Sequence, residues 1–571
     1  MSESIYDKLS KERKRLQKEG LVPEWFTTGG YSMFTQKYEY NTNGRSVRGQ
    51  FERIAKAAAK HLKGTKFEAE AEGKFFDLMW NNWLSLSTPV MSNMGTDRAL
   101  PVSCSGGVVD DSINGFYKNR YETAILTKHG FGTSAYLGAI RSRGTPYGKD
   151  KKGTASGIWP VFKGHAQDMI DVAQGSTRRG AWAGYLEIDH NDFDEIYDHI
   201  YNDPDGMNVG WIITDAFLKR LQSGDTDAIR RYQRCLKMKM VVGRGYFWFV
   251  DRVNRKLPEP YKRAGMKNYA SNLCNEIALP ADNEHQFTCV LSSMLVHRFD
   301  EWKDTDAVYW ATIFLDCVAE EFIQRAKDID GLEKTVRFTQ KARALGLGQA
   351  GFHTYLQDHM IPFESLEARM VSQQIAKHIW EESLRASQDM AKELGEPEWC
   401  RGFGVRNASR IAIAPTKSSA IMFGGVSEGI NPDPAMVFTQ KSAGGSIDRI
   451  VPSLLKIMKE RGVYNKKTIK TITERFGSVQ HVDWLSDDEK AVFKTAFEIN
   501  QKTVVALASA RGRYIDQWQS LNLFFAAEER PEWISEVHQQ AFEDPNILGL
   551  YYIYTQAGIG AAKETECVAC Q

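Results

Sequence analysis

The sequence predicts an α/β protein with a helical N-terminal region. Three observations carry this: a helical apolar stripe between residues 47 and 62, a change of texture near residue 85 to short apolar runs broken by Gly, Pro and Asn, and amphipathic helices that return after residue 360 around a compact strand. Val47, Phe51, Ile54, Ala58 and Leu62 recur at the spacing of one helix face. Gly-rich segments follow at 104–107 (CSGG), 142–157 and 173–184, and such loops can close around an anion. Leu366, Met370, Ile375, Ile379 and Met390 mark a helix over 365–394, with Gly395 as its stop. RIAIA at 410–414 reads as a strand running straight into PTKSS. Ser486 and Glu489 form a capping box for a further helix with apolar Val492, Phe493, Ala496 and Phe497. Residues 555–571 are small and polar and are predicted to be mobile.

Composition narrows the function classes. With 571 residues, about three to four domains or one large barrel are expected. Lys and Arg total 73 against 72 Asp and Glu, a net charge of +1, so no global charge favours nucleic acid or a membrane surface. No apolar run reaches the ~18 residues of a membrane span. The polar N-terminus has no signal-peptide core. Eight cysteines are too few for a disulfide scaffold. A reduced, cytoplasmic protein is expected, with no metal of its own.

Several motifs bear on chemistry. GLGQAG at 346–351 matches GxGxxG, but KARA precedes it instead of an apolar strand, so close backbone packing is the better reading. There is no HExxH and no Walker-type loop. Cys567 and Cys570 form a CxxC on the polar tail; half a zinc site is one reading, thiol–disulfide exchange the better one. At ~3.3 Å per residue, the chain from Tyr552 to Cys570 spans roughly 60 Å, enough to carry a dithiol into a buried site. In SNLCNEIALP, an extended backbone places Asn272, Cys274 and Glu276 on one face, an amide, a thiol and a carboxylate together. Cys104 and Cys289 add two more thiols in apolar contexts. The loop Thr416, Lys417, Ser418 and Ser419 offers hydroxyls and N–H groups to a phosphate.

From LSTPVMSN at 86 onward the residues resemble the large, catalytic subunit of ribonucleotide reductase. STPVMS, the Cys104 segment, SNLCNEIALP, Cys289 before LSS, ALGLGQAGF, APTKSS, GLYY and the tail cysteines occur in the family's order. The resemblance implies a ten-stranded α/β barrel over 86–553, a helical region over 1–85 and a redox-active tail over 554–571. It implies reduction of ribonucleoside diphosphates for deoxyribonucleotide synthesis. Cys274 would carry the thiyl radical, Glu276 would take the 3′-hydroxyl proton and Asn272 would orient the substrate. Cys104 and Cys289 would be the reducing dithiol, recharged by Cys567 and Cys570 and then by thioredoxin or glutaredoxin. Thr88 and Ser103 would join residues 416–419 at the diphosphate.

Tyr551 and Tyr552 resemble the stacked pair that relays a radical from a dimetal small subunit, the class I arrangement. An adenosylcobalamin-dependent enzyme, a non-catalytic nucleotide-binding relative and a zinc-stabilised binding protein are the alternatives. RSRGTP at 141–146 and AQGSTRRG at 173–180 resemble the loops of a specificity site for ATP or deoxynucleotide effectors, with Asp110, Arg141 and Arg178 as contacts, and a homodimer is implied. The residues before STPVMS do not resemble an ATP cone, so no overall activity switch of that kind is expected. The cytoplasm is the expected compartment, that of a host if the source is viral.

Overall fold

The computed structural model describes residues 5–40, 45–172, 180–205, 207–442 and 445–556. Arg178, Cys567 and Cys570 therefore lie outside the described residues. Helix α1 (Val47–Ala59) starts where Ser46 Oγ accepts the Gly49 N–H at 3.0 Å, and the predicted stripe is the face it buries: Val47, Phe51, Ile54 and Ala58. It packs on α2 (Glu68–Trp80). Phe75 of α2 then meets Phe314 edge-on at 5.3 Å, which fixes the helical region to the barrel's outer layer. Truncating either ring would cost about 3–5 kcal/mol.

Five parallel strands form one half of the barrel: β1 (Cys104–Val108), β2 (Gly132–Tyr136), β3 (Trp182–Glu187), β4 (Asn208–Ile213) and β5 (Tyr246–Phe249). They are buried along nearly their whole length, which is why β3, β4 and β5 read as mostly apolar runs and not as alternating patterns. β6 (Phe287–Leu295) pairs antiparallel with β1, opening the other half, and runs parallel to β7 (Leu345–Ala350). A short strand, Leu84–Leu86, lies on the far side of β6.

The remaining members are less regular. Leu345 and Leu347 donate to Ser409 O and Arg410 O (2.9 and 2.8 Å), and Ile413 exchanges bonds with Trp518 O and Ser520 N (3.0 and 2.9 Å). RIAIA is thus an extended barrel member with one isolated bridge, Ile413 to Gln519, in place of a regular ladder. Tyr551 donates to Leu521 O (2.9 Å), and β8 (Gly549–Leu550) pairs antiparallel with β5. Counting the segments 409–414 and 516–521, ten strands in two antiparallel halves close the barrel.

Three expectations from the sequence are refined. GLGQAG falls within and just after β7, and its glycines serve close approach: a Cβ on Gly346 would stand 2.8 Å from Cys289 Sγ, and one on Gly348 2.8 Å from Ala412 O. The long helix is α3 (Leu366–Leu394), capped by Ser365 and ended by Gly395 at φ +81°. The capping box at Ser486 forms, but that helix is only Asp487–Val492. Beyond it the backbone finds partners elsewhere, with Ala496 N–H on Asp433 O (2.7 Å) and Thr495 N–H on Glu498 Oε2 (2.8 Å), so Phe497 is not helical. Among the described residues no helix is long and apolar enough to cross a membrane.

Candidate active site

The segment 271–277 enters the barrel as a turn, not as the extended strand the sequence suggests. Asn275 takes φ +62°, a left-handed conformation that Asn tolerates. Asn272 Oδ1 accepts the N–H groups of Glu276 (3.1 Å) and Ile277 (3.3 Å), which folds the segment back on itself. The turn still gathers the expected groups, by a different route. Asn272 Nδ2 donates to Glu276 Oε1 (2.9 Å) and lies 3.4 Å from Cys104 Sγ. The Ser520 hydroxyl reaches Cys274 O (2.6 Å) and Glu276 Oε2 (3.2 Å). Asn272 and Glu276 are fully buried, and Cys274 nearly so.

The sulfurs are set by the sheet. Cys104 on β1 stands directly opposite Cys289 on β6, the junction of the two barrel halves. Neither is in a disulfide, whereas Cys274 is disulfide-bonded in this structure. Gln517 Nε2 lies 3.7 Å from Cys289 Sγ and donates to Leu345 O (2.8 Å), holding the thiol against β7. Burial pushes Glu276 up to about 7, against the opposing pull of Asn272 and Ser520. Burial, with the Cys104 charge, raises the Cys289 thiol well above its ordinary value. These groups therefore favour their neutral forms.

Cys104, Cys274 and Glu276 line a cavity of about 580 Å³, part of it open to solvent. Hydroxyls dominate its polar wall. Ser85, Ser87 and Ser103 each present a buried Oγ without a hydrogen-bond partner, the kind of orphan a bound ligand would satisfy. Thr416, at φ +44°, and Ser419 line the same wall from the start of helix α4 (Lys417–Met422), and Thr88 does so beside Tyr38 OH (3.1 Å). Ser418 is buried; neither it nor Lys417 lines the cavity.

An aromatic column approaches this site. The rings of Tyr551 and Tyr552 are 4.1 Å apart between centroids. Tyr246 on β5 joins them, its ring 4.9 Å from Tyr551 and its hydroxyl 3.2 Å from that of Tyr552. Tyr185 on β3 lies 6.4 Å from Tyr246, and its hydroxyl donates to Asn272 O (2.7 Å) on the 271–277 turn. Lys239, fully buried, donates to Gly245 O (2.8 Å) and Tyr551 O, and burial lowers its ammonium to about 7.

A separate cavity of about 1120 Å³, also partly open, is lined by Arg141, Asp111, Arg120, Tyr117 and Tyr147. Arg141 pairs with Asp111 at 2.6 Å. Asp110, the acid singled out in the sequence, instead accepts the Ser112 hydroxyl (2.8 Å) and does not line this cavity.

Family comparison agrees with the barrel. The profile described as the ribonucleotide reductase barrel domain matches residues 102–229, 225–403 and 398–553, and the all-alpha domain profile matches 24–99. A putative ribonucleoside-diphosphate reductase large subunit of Frog virus 3 (isolate Goorha) is 33% identical, covering 88% of this chain and 93% of that one. The chain belongs to the ribonucleotide reductase large-subunit family. The Danio rerio large subunit is 25% identical over 93% of this chain and 75% of its own length. The Actinobacillus ureae class Id ribonucleotide reductase alpha subunit superposes with a TM-score of 0.84 at 34% identity, covering 96% of this chain and 99% of that one. Within this ribonucleotide reductase fold, sequence reasoning missed Ser520, Gln517, Tyr246, Tyr185, Lys239 and Asp111. Only IDQWQS, an unusual run of amides ending in Ser520, carried a readable signal for the first two.

Proposed function

We propose that this chain is the catalytic subunit of a class I ribonucleoside-diphosphate reductase. The observation that carries the proposal is the register of Cys104 opposite Cys289 beside the turn that joins Asn272, Glu276 and Ser520. A ribonucleotide with its diphosphate against Ser85, Ser87, Thr88, Ser103, Thr416 and Ser419 has its sugar toward the thiols and Glu276. Lys417 and Ser418, set back from the cavity, act there through the backbone and charge of the loop. A separate small subunit with a dimetal centre supplies the radical equivalent when bound.

The chain's own residues do the rest. Reduced Cys274, as a thiyl radical, removes the 3′ hydrogen atom, and Glu276 takes the 3′-hydroxyl proton. Asn272 holds Glu276 and orients the sugar. The 2′-hydroxyl leaves as water when a proton from the Cys104–Cys289 pair reaches it. Two electrons and two protons pass from the dithiol to the substrate, a Cys104–Cys289 disulfide forms, and the 3′ hydrogen returns from Cys274. Burial that keeps Cys289 a neutral thiol supplies a proton donor there. Cys567 and Cys570 then reduce the disulfide by exchange, with thioredoxin or glutaredoxin as the external reductant.

Tyr552, Tyr551 and Tyr246 form the inward relay, in keeping with a ring spacing short enough for stepwise transfer. The Arg141 cavity is the candidate specificity site for ATP or a deoxynucleotide; Asp110 precedes its lining residue Asp111, and Arg178 lies outside the described residues. Ile113 and Tyr117 on the adjoining helix Ile113–Lys128 are exposed and suit a homodimer face. The cytoplasm, a host's if the source is viral, is the matching compartment.

The test is conversion of CDP to dCDP under dithiothreitol, with an ATP or dATP effector. One tube holds the cognate small subunit and the other adenosylcobalamin alone. Product only with the small subunit supports class I. Product with cobalamin alone would remove the tyrosine relay and leave the cysteine chemistry standing.

A further inference from the structure

A second cavity lies at the other end of the two irregular barrel segments. The stretch 409–414 runs from Arg410 in this cavity to Ala414 in the sulfur site, and 516–521 runs from Asp516 here to Ser520 there. The space is about 910 Å³, part of it open to solvent. Among the described residues its cationic lining is Lys256, Arg410 and Arg513, and its one carboxylate is Asp516.

Arg410 is built into the wall and underused. It is 5% exposed, its guanidinium lies 4.5 Å over the Trp380 ring, and its Nε donates to Ser383 Oγ (3.3 Å). Nη1 stands 3.9 Å from Asp516 Oδ2, beyond hydrogen-bond reach, and Nη2 is buried with no partner. Asp516 is committed elsewhere: its two oxygens accept the backbone N–H groups of Arg410 (2.9 Å) and Ile411 (2.8 Å). A buried guanidinium with an unmet nitrogen is costly to keep unless something satisfies it. With three cations facing one carboxylate that is already satisfied, a dianion fits better than a monoanion. Pro258, Pro260, Phe403 and Ile515 give the cavity an apolar side suited to a flat body.

We propose that this cavity binds a small phosphate monoester, its phosphate on Arg410 with Lys256 and Arg513, and its flat apolar body against Phe403 and the two prolines. The guanidinium suits this role because its fork can hold two phosphate oxygens at once. The proposal does not rest on the reductase reading.

Phenyl phosphate, titrated calorimetrically into the full chain, is the probe, with inorganic phosphate and phenol as separate arms. Phenyl phosphate is expected to bind more tightly than either. Arg410→Met is expected to weaken it at least about tenfold, the loss of one charge-assisted hydrogen bond. Val405→Trp, which adds bulk at another lining residue and leaves Arg410 in place, is expected to do the same, and it decides the matter if Arg410→Met does not fold. No binding, equal affinity for inorganic phosphate, or binding that survives the folded variants would overturn the assignment.

Discussion

Replacing Glu276 by Gln separates catalysis from stability. An ordinary glutamate titrates near 4.5, and burial raises Glu276 to about 7. The folded chain therefore holds this proton more tightly than the unfolded chain does. Its contribution to stability is intact below pH 4.5, declines between 4.5 and 7, and above 7 the ionised carboxylate costs about 3 kcal/mol. Gln keeps the acceptor for Asn272 Nδ2 and offers its amide to Ser520 Oγ, and it carries no charge at any pH. Stability relative to the parent chain, from denaturant midpoints, is thus expected to rise by up to about 3 kcal/mol between pH 5 and pH 8. Turnover is expected to fall 10²–10⁴-fold, the usual worth of a general base. In the parent chain activity should rise with pH, with its half-point near 7. A variant that keeps more than about a tenth of the turnover refutes the base. A stability difference that stays flat from pH 5 to 8 refutes the raised carboxyl.

Four further outcomes follow from the geometry. Gly346→Ala is expected to destabilise by about 1–3 kcal/mol in thermal melts, since its Cβ meets Leu291 at 2.4 Å and Cys289 Sγ at 2.8 Å; unchanged melting would contradict the close approach. Tyr246→Phe, which removes the hydroxyl 3.2 Å from Tyr552, is expected to lower small-subunit-dependent turnover about tenfold, and full activity would take Tyr246 out of the relay. Lys239→Met is expected to lower that turnover by a similar factor by freeing Tyr551 O. Because folding drops the Lys239 ammonium from 10.5 to about 7, its penalty builds as pH falls from 10 to 7 and reaches about 5 kcal/mol. The variant should therefore gain stability relative to the parent over that range, and a constant difference would contradict the burial argument. Arg141→Ala is expected to weaken dATP in equilibrium binding about tenfold, and unchanged affinity would move the effector site elsewhere.

The chemistry was legible in the sequence where one short segment carries it. Asn272, Cys274 and Glu276 sit within five residues, so the motif named them, yet period-two alternation gave the wrong reason for their meeting. The Asn272 amide wins over strand geometry because it satisfies two backbone N–H groups at once. Cys104 and Cys289 were visible as thiols, but only the junction of the barrel halves sets them opposite each other. Ser520 is 246 residues from Cys274, and no local pattern announces such a contact. Tyr246 lies within YFWF, which reads as buried strand and is one; its hydroxyl is what exceeds packing. The fold class followed from texture and RIAIA read as a strand, whereas the segment 516–521 did not, because its bonds are scattered among residues with no ladder.

Burial acts on these groups in one direction. It raises the Glu276 carboxyl, the Cys289 thiol and the Tyr185 phenol, and it lowers the Lys239 ammonium, each toward its neutral form. A site built for thiolate attack does the opposite, lowering its cysteine with a cation or a helix start. Neutral thiols and phenols exchange hydrogen atoms, and a carboxyl poised near 7 can hold or release one proton as the sugar requires. The test is alkylation by iodoacetamide: thiolate chemistry at Cys289 demands rapid modification of the native chain at pH 7. A buried neutral thiol gives modification slower by orders of magnitude than in the unfolded chain. Fast native modification at Cys289 would overturn its role as a neutral proton donor more directly than any loss of activity.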